Sequence, residues 1–145
     1  MKKILIINGP NLNLLGTRET NFYGNQSLED IKKKCDERCS KLDLICDFIQ
    51  NNNEGEIISL IQTVENNYLG LIINPAGLTH TSIAILDALR AISKPKIEIH
   101  LSNIYTREEY RQKSITSKGV NGLICGFGGD SYILAIEAIH NLIYK

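Results

Sequence analysis

The chain has 145 residues, 43% of them apolar and 22% charged, which suits a single globular domain and excludes a disordered or collagen-like polypeptide. Its 16 basic and 16 acidic residues cancel, and it has no tryptophan and no basic stretch interleaved with aromatics, so a general nucleic-acid binder is not expected. After Met1-Lys2-Lys3 the apolar run ends at Asn8, and no later run is longer enough to matter, so neither a signal peptide nor a membrane span is expected and the place predicted is the cytoplasm. The first element, residues 3–7, is an apolar run closed by Asn8-Gly9-Pro10, which reads as a buried strand followed by a loop. Ser27 can cap a helix running to about residue 42, with Glu29 and Asp30 in its first turn. Cys35 and Cys39 lie four apart on one face of that helix and read as small packers. With Cys46 and Cys125 they form no CxxC and have no histidine at metal-ligand spacing, so all four are expected to be reduced thiols.

Residues 44–49 read as a second strand, and Asn53-Glu54 opens a helix to about residue 66. A third strand, residues 69–73, ends at Asn74-Pro75. Thr79 is expected to cap a helix reaching about residue 92, with Pro95 beyond its end. A fourth strand covers residues 96–100, a short helix residues 107–113, and a fifth strand residues 120–125. The turn at Gly126, Gly128 and Gly129 leads into a closing helix from Asp130. Apolar strands alternating with helices predict an α/β fold of the flavodoxin-like, doubly wound class: five parallel strands with helices on both faces, in one domain spanning residues 1–145.

In such sheets ligands bind beyond the carboxyl ends of the strands. The loops there hold most of the unusual polar residues. The first, residues 8–24, is long and contains Asn11, Arg18 and Tyr23. A tyrosine with an ordinary pKa of about 10 is a poor base, and a nearby guanidinium would lower it. Spacing alone leaves open a tyrosine packed beneath the loop with its arginine in solvent. The loop after the third strand places Asn74 at the cleft and Thr79-His80 at a helix start, where His80 is either structural or functional. Glu98 and His100, two apart, share one face of the fourth strand, and a carboxylate beside an imidazole suits a general acid. Ser102 and Asn103 offer exposed amides, and Arg107 and Arg111 are one helical turn apart. The turn GFGGD lacks the spacing of a dinucleotide or phosphate loop.

Taken together, GPNLNLLG-x-RE-x-x-x-YG, NNNEGEII, NPAGLTHTSIAILDAL and EIHLSN-x-x-x-REEYR-x-x-S, in this order and spacing, resemble the type II 3-dehydroquinate dehydratases over roughly residues 4–140. The resemblance implies a flavodoxin-like enzyme of the shikimate pathway that eliminates water from 3-dehydroquinate without metal or cofactor. It implies Tyr23 as the base that takes the C2 proton, with Arg18 lowering its pKa. Asn11 would position a water that stabilises the enolate, and His100, supported by Glu98, would be the general acid. The substrate carboxylate would rest on Asn74, Ser102 and the Leu101 amide, and His80 and Arg111 would hold ring hydroxyls. Asp87 would reach the site from a neighbouring subunit of a trimer-based dodecamer. Two departures stand out: Thr20, where the family commonly has proline, and Ser131, where a glycine often precedes the tyrosine of the last turn. These imply altered loop dynamics or packing only.

Other classes remain to be weighed. A non-enzymatic flavodoxin-like binding module should have Ser, Thr and Gly after the first strand, where this chain has Asn, Leu and Arg. A phospho-acceptor signalling domain needs acidic residues there, and residues 8–13 have none. A role in quinate breakdown rather than aromatic biosynthesis is a further possibility.

Overall fold

The computed structural model describes residues 2–17 and 25–145. Five strands, β1 (Lys3–Asn8), β2 (Ile45–Gln50), β3 (Leu71–Asn74), β4 (Lys96–His100) and β5 (Gly122–Cys125), form one sheet in the order β2-β1-β3-β4-β5. Every pairing is parallel. The order reverses between β1 and β3, which is the switch point of the flavodoxin-like arrangement.

Side-chain alternation explains the two layers. Ile4, Ile6, Ile72, Ile97 and Ile99 face one side of the sheet and are packed by α1 (Leu28–Lys41) and α5 (Asp130–Ile143). Leu5, Ile7, Leu71 and Ile73 face the other and are packed by α2 (Glu54–Gln62), α3 (Val64–Asn67) and α4 (Ile83–Arg90). Cys35 and Cys39 are buried in the first layer, as packers should be, and burial pushes the Cys35 thiol up to about 12. The Ser27 cap is present as a reciprocal box with Asp30. Asn53 caps α2 through Glu56 N at 2.9 Å.

Three expected elements differ. The helix expected from Thr79 begins at Ile83, because Ser82 supplies the cap, its Oγ accepting from Ile85 N at 2.9 Å. Residues 76–80 form a 3-10 turn instead, and the Thr79 hydroxyl is committed elsewhere. The helix expected over residues 107–113 is two 3-10 turns, Ile104–Thr106 and Glu109–Arg111, broken at Arg107, whose backbone is extended and whose side chain is buried. The helix expected to run to about residue 66 breaks at Thr63, whose hydroxyl donates to the Leu60 carbonyl at 2.6 Å. Ser131, one of the two departures, is fully buried and its Oγ accepts from Phe127 N at 3.2 Å, closing the turn before α5. Thr20, the other, lies outside the described residues.

Candidate active site

A cleft of about 220 Å³ opens at the carboxyl ends of β1, β3 and β4. Its floor depends on a close approach of two loops. Gly9 N donates to Asn74 O at 2.8 Å, and a Cβ on Gly9 would sit 2.6 Å from the Pro75 carbonyl oxygen. Two of the non-glycine residues with positive φ, Asn11 (70°) and Ala76 (53°), line this cleft. Such backbone costs of order 1–3 kcal/mol per residue and persists where the surroundings over-determine it, often at functional sites.

Strand β4 delivers Glu98 and His100 to one face, as their spacing requires. His100 Nε2 lies 2.8 Å from Glu98 Oε2. Glu98 is fully buried among donors: Oε2 also accepts from Thr79 Oγ1 at 3.0 Å and Ser114 Oγ at 2.7 Å, and Oε1 accepts from Thr116 Oγ1. Burial alone would raise this carboxyl. The hydrogen bond and charge of His100, with the hydroxyls of Thr116 and Ser114, outweigh it and hold Glu98 below the usual carboxylate value. An ionised Glu98 fixes the proton of His100 on Nε2. Nδ1 is then the nitrogen left to meet a ligand, and a second proton there makes an imidazolium that Glu98 stabilises.

Asn74 ends β3, buried at 2% exposure. Its Oδ1 accepts from Ala76 N at 3.2 Å, and its Nδ2 donates to Tyr132 Oη at 3.1 Å. Tyr132 donates in turn to Asn8 Oδ1 at 2.6 Å, and Asn8 Nδ2 donates to Ile49 O at 3.2 Å. Burial pushes the Tyr132 phenol above its ordinary range, so it stays a neutral donor. This chain of amide and phenol groups ties α5 to β1 and β3 and fixes the orientation of Asn74.

The remaining lining groups are mostly donors. His80 Nδ1 lies 2.7 Å from Lys113 O; a carbonyl only accepts, so Nδ1 carries the proton and Nε2 is available to the cleft. Arg107 is buried and donates from Nη1 to Ser102 Oγ at 3.3 Å. Arg111 donates from Nε to Glu108 Oε2 at 2.6 Å. Leu101 is buried beside them. Asn11 is held by its own N–H, which donates to Asn52 Oδ1 at 3.0 Å. Two guanidinium groups, two imidazoles, two carboxamides and a hydroxyl, facing a space whose one buried carboxylate among the described residues is already hydrogen-bonded, suit a small anion rich in hydroxyls.

Of the expected site residues, Asn11, Asn74, His80, His100, Leu101, Ser102 and Arg111 meet at this cleft, with Glu98 directly behind His100. Arg18 and Tyr23 lie outside the described residues. Asp87 is exposed on α4 and is not part of this chain's own cleft lining. Four residues with evident parts went unassigned by the sequence reading: Thr79, Ser114 and Thr116 around Glu98, and Tyr132 behind Asn74. Arg107 was noticed only as half of an arginine pair. Ser114 closes the quoted REEYR-x-x-S segment, so its place was visible, but nothing in the sequence joins it to Glu98. Among the described residues, no three His, Cys, Asp or Glu side chains are grouped to hold a metal ion.

Residues 2–140 match the family model described as dehydroquinase class II. The chain is 55% identical, over its whole length and 99% of the relative, to a 3-dehydroquinate dehydratase of Clostridium botulinum. Its fold matches a crystal structure of a type II dehydroquinase from Butyrivibrio crossotus with a TM-score of 0.93 and 46% identity, covering 95% of this chain and 97% of that one. A type II dehydroquinase from Propionibacterium acnes matches with a TM-score of 0.92 and 38% identity, covering 97% of each chain.

Proposed function

The chain belongs to the class II dehydroquinase family and has its activity, the dehydration of 3-dehydroquinate in the shikimate pathway, and we propose how its residues divide that reaction. Tyr23, with its pKa lowered by Arg18, takes the proton from C2 of the substrate. The electrons of that bond form an enolate, whose oxygen is stabilised by a water that Asn11 positions. His100, as imidazolium, gives its Nδ1 proton to the C1 hydroxyl, which leaves as water while the enolate collapses to the conjugated enone of 3-dehydroshikimate. A base and an acid on opposite faces of the ring allow stepwise anti elimination.

The observation that carries this division is the 2.8 Å contact between His100 and the buried Glu98 at the cleft. A β-hydroxyl is a poor leaving group, and an imidazolium backed by a carboxylate is the acid it needs. Asn74, Ser102 and the Leu101 amide hold the substrate carboxylate, and His80 and Arg111 its ring hydroxyls; the donor-rich lining supports this assignment. No helix among the described residues is long and apolar enough to cross a membrane. The enzyme acts in the cytoplasm as a trimer-based dodecamer, with the exposed Asp87 of each subunit reaching a neighbour's cleft.

Tyr23→Phe tests the division of labour. Turnover is expected to vanish while titration calorimetry still detects substrate binding. Near-normal turnover would remove Tyr23 as the base.

A further inference from the structure

One short segment reaches one histidine of the cleft and the carboxylate behind the other. The Lys113 carbonyl accepts from His80 Nδ1 at 2.7 Å, and the next residue, Ser114, donates to Glu98 Oε2 at 2.7 Å. Ile115 N donates to Thr79 O at 2.7 Å, and Thr116 Oγ1 donates to Glu98 Oε1. Thr79 Oγ1 also lies 2.7 Å from Ser114 Oγ and 2.6 Å from Thr116 Oγ1, so the three hydroxyls divide one hydrogen each between one another and Glu98. Thr79 and Thr116 are fully buried. Four donor groups surround the Glu98 carboxylate, three at Oε2 and one at Oε1, and one of them is His100.

We propose that Ser114 and Thr116 are positioning residues for the dehydration: with Thr79 they fix the Glu98 carboxylate in its ionised form against His100, and so keep His100 a cationic proton donor. This rests on the reading of His100 as the acid. The reason is a competition for one proton. Hydrogen bonds to an ionised carboxylate favour that form, and removing them raises its proton affinity. A Glu98 stripped of hydroxyl donors can draw the Nε2 proton of His100 to itself. That leaves a neutral imidazole, whose N–H is far too weak an acid to expel a hydroxyl.

Among the described residues, Glu98 is hydrogen-bonded by His100 and by the hydroxyls of Thr79, Ser114 and Thr116. Strands β3 and β5 carry no charged side chain, and Lys96 lies at the far end of β4. The 76–80 turn contributes His80, which shares the cleft with Arg107 and Arg111. Asp87 and Arg90 of α4 are exposed, as are Lys113 and Lys118 flanking the segment. A purely structural role is the competing explanation, because Ser114 Oγ also accepts from Ser117 N at 3.0 Å and shapes the following turn.

Isotope-edited infrared difference spectroscopy on the glutamate-labelled enzyme reads Glu98 directly, with Glu98→Gln identifying its bands. In Thr116→Val and Ser114→Ala the protonated-carboxyl band is expected to appear about one pH unit higher than in the wild type. Across the pH optimum kcat should fall roughly tenfold, and KM should stay within about twofold. Thr116→Ser should restore both signals. A Glu98 band that titrates as in the wild type in the folded variants would overturn the proposal, whatever their turnover. Should Thr116→Val not fold, Ser114→Ala, which removes only a half-buried hydroxyl, carries the test alone. The infrared titration does not depend on turnover, so its outcome is separate from that of the dehydratase reading.

Discussion

Glu98→Gln is the sharpest perturbation of the cleft, because it removes a charge and almost no volume. The amide oxygen can still accept from His100, Ser114 and Thr79, and the amide nitrogen can take the Oε1 place, where the Thr116 hydroxyl can turn to accept. The fold should therefore survive. A hydrogen bond to a charged partner contributes about 1.5–3 kcal/mol, against about 1 kcal/mol for a neutral pair. The imidazolium of His100 thus loses on the order of 0.5–2 kcal/mol of support. His80, Arg107 and Arg111 face His100 in both proteins and drop out of the comparison. The alkaline limb of the kcat profile, where the acid loses its proton, should move toward lower pH, with kcat above it down by roughly two- to thirtyfold. Stability adds a second signature. Glu98 is held below its ordinary value in the fold, so its stabilising contribution is present above about pH 4 and lost as pH falls through the folded value. The urea-unfolding difference between wild type and variant should narrow below about pH 4. An unshifted alkaline limb in a folded, active Glu98→Gln would refute the role given to the pair.

Other outcomes follow from the same geometry. Tyr132→Phe strands the buried Nδ2 of Asn74 and Oδ1 of Asn8, so denaturant unfolding should show a loss of roughly 1–3 kcal/mol, with KM rising more than kcat falls. Gly9→Ala drives a Cβ to 2.6 Å from Pro75 O and 2.8 Å from Pro75 C; overpacking of about 1–3 kcal/mol should part the two loops and lower kcat/KM at least about tenfold. Asp87→Ala should raise KM in the assembled enzyme, and a fully active monomer, seen by ultracentrifugation with kinetics on the same sample, would end the idea of a shared site.

Much of this was legible because periodicity carries it. The alternation of apolar runs and capped helices encodes the parallel sheet, and Ser27 and Asn53 sit where they cap. The Glu98–His100 pair was readable because a strand puts alternate residues on one face. Boundaries failed where tertiary contacts captured the local signal. Thr79 has the chemistry of a helix cap, yet its hydroxyl serves Glu98 19 positions away, and Ser82 caps the helix instead. Arg107 looked helical, but burial beside Ser102 holds its backbone extended. The Tyr132–Asn8 bond spans 124 positions, and no local pattern encodes such a contact. The hydroxyl cage failed to show for the same reason: Ser114 and Thr116 lie 35 and 37 positions from Thr79, and only folding brings the two loops around one carboxylate.

The most direct test of the account is an absorbance trace. Purified protein is mixed with 3-dehydroquinate, with chelator present and a borohydride-treated sample alongside, and the ultraviolet band of the conjugated enone is followed. The account predicts a rise that survives both treatments, since base, acid and oxyanion support all come from side chains and water. No rise from a folded, assembled protein would contradict it, and a rise abolished by borohydride would replace the enolate route with a Schiff base.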